Sequence, residues 1–139
     1  MISGVNDALI LAARLLLATL FLIFGWRKLK DFSGTVSQMA QLGVPVPALA
    51  AGAATFMELP VAFAVAVGAF THLSAGLMFF YALGTALIGH RYWTMTGTDR
   101  VDSMDGFFKN LSIMGGFLLL YMTGPEKYSI DALFGVAAP

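Results

Sequence analysis

The chain has 139 residues, room for one domain, and only 12% of them are charged against 58% apolar, where soluble domains carry about 25% charge. A water-soluble domain this small must cover a large surface with polar groups, which are missing here, and the same hydrophobicity excludes disorder. Eight Lys and Arg balance eight Asp and Glu, and there is no cysteine. The chain therefore has no basic field for a nucleic acid and no means of building a disulfide, a thiolate metal site or an iron–sulfur cluster alone.

Four apolar stretches reach or approach the ~20 residues that cross a ~30 Å hydrocarbon core as helix. The first runs over about 8–26 and is broken only by Arg14, with Asn6 and Asp7 placed to cap it. It lacks a basic leading segment and a small-residue cleavage site, so it is expected to be a retained span rather than a signal peptide. The loop that follows is longer than a connection needs. Within it Phe32, Val36, Met39 and Leu42 recur at spacings of three and four, with Ser33 as a candidate cap, which predicts a short helix in the membrane interface. The second span, about 48–70, follows Pro45 and Pro47 and carries Glu58 near its middle. A tight turn joins it to a third span at about 72–90, so these two are expected to be antiparallel neighbours. The fourth, about 107–123, is the shortest and stops at Gly124-Pro125; the tail over Ser129–Phe134 suggests a further interfacial turn. Backbone polar groups in lipid must pair internally, so these spans predict an all-α, four-helix antiparallel membrane bundle filling a single domain over 1–139.

Orientation follows from the basic residues. Loops one and three hold Arg27, Lys28, Lys30, Arg91, Arg100 and Lys109, against Lys127 alone on the opposite face. That bias predicts cytoplasmic loops one and three, both termini outside, and Trp26 and Trp93 in the cytoplasmic aromatic belt.

The chemistry rests on few residues. A charge at bilayer depth costs at least ~2.5–3.5 kcal/mol, so Arg14 and Glu58 should face the bundle interior with partners. Measured from the outer ends of their spans, their levels differ by less than ~10 Å, within reach of a long guanidinium stem. Two readings stand: a polar site that holds a ligand headgroup or passes a proton, and an ion pair that fixes how spans one and two dock. Pro60 frees the carbonyl of Phe56 and is expected to kink the helix beside Glu58. His72 and His90 end the third span 18 residues apart, about 27 Å along a helix, so they cannot share one metal within a protomer. His90 reads either as an interface anchor with Arg91, Tyr92 and Trp93 or as part of a cytoplasmic-side site with Lys28, Lys109 and Asn110. Small-residue pairs such as Ala62/Ala66 and Ala82/Ala86 suit close helix packing or a homo-oligomer.

In order along the chain, the sequence carries Ala13-Arg14, Phe24-Gly25 with Lys28, Phe32-Ser33-Gly34-Thr35, and Leu42-Gly43-Val44-Pro45. Then come Glu58-Leu59-Pro60, the run Gly84 to His90 leading to Tyr92-Trp93, Lys109-Asn110, Gly124-Pro125 and Ser129-Ile130-Asp131. No single piece is specific, but the series resembles the DoxX family of small four-span bacterial membrane proteins over nearly the whole chain. The resemblance implies a place in the bacterial inner membrane. It also implies a redox setting, since relatives include a subunit of an archaeal thiosulfate:quinone oxidoreductase and parts of mycobacterial assemblies with superoxide dismutase and a sulfurtransferase. The family's recurrent polar residues fall on Arg14, Lys28, Glu58, His90, Lys109 and Asn110, which become the candidate ligand-binding set. The absence of cysteine departs from thiol-active relatives and puts disulfide chemistry out of reach.

The expectation is a membrane subunit or anchor of a redox-associated complex. It would have no intrinsic cofactor, no metal site and no catalytic residue of its own, and would hold a quinone or lipid between helices while a redox partner protein does the chemistry. The alternative is a non-catalytic assembly or packing factor in which the buried charges are purely structural.

Overall fold

The computed structural model describes residues 2–135 and is all-helical over them. The first helix, α1 (Ile2–Lys30), is 29 residues long and begins ahead of the expected span. Asn6 and Asp7 therefore lie inside it and cap nothing; the Asp7 carboxylate accepts the Lys127 amide of the tail instead, at 3.4 Å. The basic run Arg27, Lys28 and Lys30 falls in its last turn, where cations meet the negative end of the helix dipole.

A short helix does follow in loop one, α2 (Phe32–Gln41), but Asp31 and not Ser33 is its cap, accepting the Gly34 amide at 3.1 Å. The carboxylate sits so close that a Cβ at Gly34 would lie 2.3 Å from it. Thr35, the buried residue of α2, donates to the Asp31 carbonyl at 2.9 Å.

The second span is a composite: α3 (Pro47–Phe56), a π turn (Met57–Val61) and α4 (Ala62–Val67). Pro47 takes the first turn of α3, where its missing N–H costs little. Pro60 lies inside the π turn. It has no N–H to give and its ring crowds the carbonyl four residues back, so the helix widens there instead of simply bending. Glu58 stands in that turn and is buried.

Gly68, at φ 72°, closes α4 in the left-handed conformation that glycine adopts without strain, and α5 (Thr71–Gly89) follows after the short turn. A 3-10 turn (Tyr92–Thr94) leads to α6 (Gly97–Thr123). That helix starts well before the expected fourth span because its first turns are polar and exposed, with Asp99 near the positive N-terminal end. The tail forms one helical turn, α7 (Ile130–Leu133), capped by Ser129, whose hydroxyl accepts the Ala132 amide at 3.0 Å.

Two antiparallel pairs organise the molecule. On α1 and the second span, Gly25 meets Glu58 and Leu59, while Arg14 meets Gly68 and the Ala66 carbonyl. On α5 and α6, Asn110 reaches Thr85 while Tyr121 lies edge-on to His72. Phe21, Val61, Val65, Met78, Phe117 and Leu120 form the shared core, and fully buried alanines at 51, 75, 82 and 86 let backbones approach closely. Large apolar side chains point outward all round, among them Leu16, Leu49, Phe80, Leu119 and Met122, each at least two-thirds exposed. A water-soluble monomer rarely shows so much. Among the described residues three helical stretches are long and apolar enough to cross a membrane: Gly4–Lys30, Pro47–Val67 and Thr71–Thr94. Helix α6 is as long, but Lys109 and Asn110 interrupt its apolar run.

Candidate functional site

Glu58 is only 4% exposed, and side chains satisfy both of its oxygens. Lys28 of α1 pairs with Oε1 at 2.8 Å. The Tyr81 hydroxyl of α5 donates to Oε2. The ion pair forms because α1 comes very near the π turn at Gly25. A Cβ there would lie 2.8 Å from the Leu59 side chain and 2.9 Å from Glu58, so a glycine is required for the approach. Tyr81 is steadied by an edge contact with Phe21, ring centroids 6.3 Å apart, and the Lys28 ammonium rides over Phe24 at 5.7 Å.

Two openings flank this cluster. On one side an apolar groove of about 380 Å³ runs between the α3–π segment and α5 and is roofed by Met39, Leu42 and Val44 of the loop-one region. Met57, Tyr81 and Thr85 line it and no charged residue does. On the other side a polar pocket, also about 380 Å³, is lined by Arg27, Lys28, Asp31, Thr35 and Gln38. A third groove of about 520 Å³ between α1 and α6 is walled almost wholly by aliphatic side chains.

Arg14 does not pair with Glu58, contrary to expectation. The interhelix register sets Glu58 level with Gly25, eleven residues from Arg14 on α1, or roughly 16 Å along the axis. The shorter estimate assumed that both spans end at one level, but α1 runs on past the turn that joins α4 to α5. Arg14, fully buried, donates to the Ala66 carbonyl at 3.3 Å and to the Tyr128 carbonyl. It thereby ties the tail to the bundle. Asp131 completes the join: its carboxylate accepts the Phe70 and Thr71 amides at 2.7 and 2.8 Å, and its own amide donates to Gly68 at 2.9 Å. The tail thus caps the N-terminus of α5 from 60 residues away.

The remaining candidates gather near the far end of α5. Asn110 donates to the Thr85 hydroxyl at 2.8 Å and to the Ala82 carbonyl at 3.3 Å, clamping α6 to α5. The His90 ring packs against Gly106, where a Cβ would sit 2.5 Å from it. Lys109 is exposed on the adjacent turn of α6. Arg91 donates to the Leu42 carbonyl at 2.6 Å and pins the end of α5 under loop one. The structure therefore joins Lys28 to Glu58, groups His90, Lys109 and Asn110 nearby, and leaves Arg14 apart. Among the described residues no group of three His, Asp or Glu lies together as a metal-holding set.

Sequence reasoning missed two participants. Tyr81 sits in an uninterrupted apolar run, and the only signal was a hydroxyl at span depth needing a partner. Asp131 lies in a tail that looked merely interfacial, and nothing local said which helix it would cap.

The chain is 50% identical over 126 residues to the inner membrane protein YphA of Escherichia coli K12, covering 91% of this chain and 90% of that one. It is 36% identical over 131 residues to the inner membrane protein YqjF of the same organism, covering 92% and 93%. No solved structure shows a significant match. The SURF4 family model matches residues 52–134 and the DoxX family model matches residues 9–91, which take in both Arg14 and the Lys28–Glu58–Tyr81 cluster. With more than half of the chain matched and two full-length relatives, this protein belongs to the DoxX family.

Proposed function

We propose that this DoxX protein is a multi-pass inner-membrane protein that holds a quinone or lipid in the groove between the α3–π segment and α5. Its role is that of a membrane subunit or anchor of a redox-associated complex. The observation that carries the reading is a buried carboxylate, held by Lys28 and Tyr81 in a π turn, at the edge of an apolar groove of about 380 Å³. Apolar walls with a few convergent polar groups are the usual form of a small-molecule site, and π turns recur at functional sites. In this arrangement α6 is the fourth span, α2 lies in the interface, and the basic ends of α1 and α5 face the cytoplasm with both termini outside. At the cytoplasmic end of the groove Asn110 bonds the wall residue Thr85 and His90 follows the wall residue Gly89, with Lys109 beside Asn110 on α6. The chain has no cysteine, so a partner protein would supply the electrons.

Organic extraction of protein purified in mild detergent, followed by mass analysis, tests the reading directly. A retained quinone or lipid, together with a rise in melting temperature when a short-chain soluble quinone is added, is the expected outcome. An empty protein with no shift favours the second reading, a non-catalytic assembly factor. That alternative has its own support in the Arg14–Asp131 tie, in which each buried charge is spent on backbone groups of the tail and the α4–α5 turn.

A further inference from the structure

The Glu58 carboxylate has a different neighbour on each oxygen, and those neighbours open to different places. Lys28, on Oε1 at 2.8 Å, lines the polar pocket. Tyr81, on Oε2, lines the apolar groove. Glu58 is itself only 4% exposed, so the carboxylate is a bridge between the two openings and not part of either surface. The groove contains no cation, and its other hydroxyl residue, Thr85, is already engaged with the Ala82 carbonyl at 3.0 Å and with Asn110 at 2.8 Å. Tyr81 is left as the polar group that a bound molecule can address. A phosphate headgroup finds no counter-charge there.

We infer that Glu58 is a proton port, exchanging a proton between the polar pocket and a neutral lipophile with an ionisable hydroxyl bound in the groove. The inference rests on the groove being a ligand site and narrows its occupant. The step balances without an oxidant. The ligand hydroxyl gives its proton to the Tyr81 oxygen as Tyr81 passes its own to Oε2, leaving a ligand oxyanion and a neutral Glu58 carboxyl. Rotation of the carboxyl carries that proton from the Tyr81 side to the Lys28 side, where Lys28 takes it as it gives an ammonium proton to water in the polar pocket, which regenerates the carboxylate–ammonium pair. The reverse sequence protonates the ligand. The charged and titratable groups facing this path are Lys28 from α1 and Tyr81 from α5, with Arg27 and Asp31 lining the pocket beyond Lys28.

The probe is an octyl-substituted nitrophenol, whose phenolate is coloured, bound to the whole purified protein. Equilibrium dialysis measures binding, and a stopped-flow pH jump measures how fast the bound probe re-equilibrates its proton. Wild type should bind the probe, and Glu58→Gln and Tyr81→Phe, compared at saturating probe so that any loss of affinity is overcome, should each slow re-equilibration of the bound probe by tenfold or more. Tyr81→Phe keeps the Lys28–Glu58 pair and its packing, so it decides the matter if Glu58→Gln does not fold. Unchanged rates in a variant that still binds the probe would overturn the port and leave the groove reading standing. Failure of wild type to bind would remove both.

Discussion

Arg14 and Glu58 are both buried charges on the contact between α1 and the second span, at 0% and 4% exposure, yet they are built differently. Arg14 is held by main-chain carbonyls of Ala66 and Tyr128, and its neighbour Asp131 by main-chain amides of Phe70 and Thr71. Those partners cannot change their protonation, and the tail covers them. Glu58 is held by two side chains, each of which lines an opening. Burial of a charge therefore does not by itself mark a functional site in a membrane helix. What separates the two is whether the partners are fixed backbone or exchangeable side chains beside a cavity.

The largest effect should come from the closed region. Replacing Arg14 by Leu leaves the Tyr128 carbonyl without its donor and removes the tie between α1 and the tail. An unsatisfied buried carbonyl costs about 1–3 kcal/mol, and the Asp131 carboxylate also loses its neighbouring cation, so a loss of about 3 kcal/mol, read as melting temperature in detergent, is expected. A variant as stable as wild type would mean that the tail holds without Arg14.

Glu58→Leu should cost less in total but behave in a more telling way. The single change leaves Lys28 facing an apolar side chain, an unpaired-charge penalty of about 2–3 kcal/mol. Because Lys28 is 23% exposed, it can partly turn toward water, which lowers the penalty. Adding Lys28→Met should restore part of the stability, since an apolar pair can replace a buried ion pair at little net cost. If the double variant is less stable than Glu58→Leu, the two residues do not act as a pair.

Asp131→Ala removes both acceptors from the start of α5, and loss of an N-cap costs about 1–2 kcal/mol. The effect should be local: limited proteolysis ought to cut the tail beyond Gly124 several times faster, while the melting temperature falls only modestly. Equal cutting rates would show that the cap does not hold the tail.

These predictions also mark where the sequence stops being informative. Apolar runs located three helical stretches long enough to cross a membrane, and the three-and-four spacing of Phe32, Val36, Met39 and Leu42 located α2, because both signals are local. Glu58 is a candidate on its charge at span depth, and Lys28 through its level with His90, Lys109 and Asn110 and through the family resemblance. Their pairing was not legible, because it depends on the register between α1 and the second span. Nothing in an unbroken 29-residue helix says which of its turns lies opposite the π turn. Asn6 and Asp7 look like caps, yet local capping preference is weak against continued helix and packing. Pro60 was visible as a disturbance, but whether a helix answers with a kink or a π turn depends on the helices packed around it.

The smallest effect is a coupling that should be absent. Had Arg14 and Glu58 formed one ion pair, replacing both would cost less than the sum of the single replacements. Their separate partner sets and roughly 16 Å spacing along α1 predict additivity instead, within about 0.5 kcal/mol, as for sites that share no contact. The cycle needs Arg14→Met, Glu58→Gln and the double variant, chosen because Met preserves much of the stem packing and Gln keeps the carboxylate's shape, its amide oxygen accepting from Lys28 while its amide nitrogen can donate to the Tyr81 oxygen. Measured in one detergent by thermal denaturation, the double variant should equal the sum. A coupling of 1.5 kcal/mol or more would mean that the two regions communicate through α1, and the division between a fixed backbone tie and an exchangeable side-chain cluster would fail.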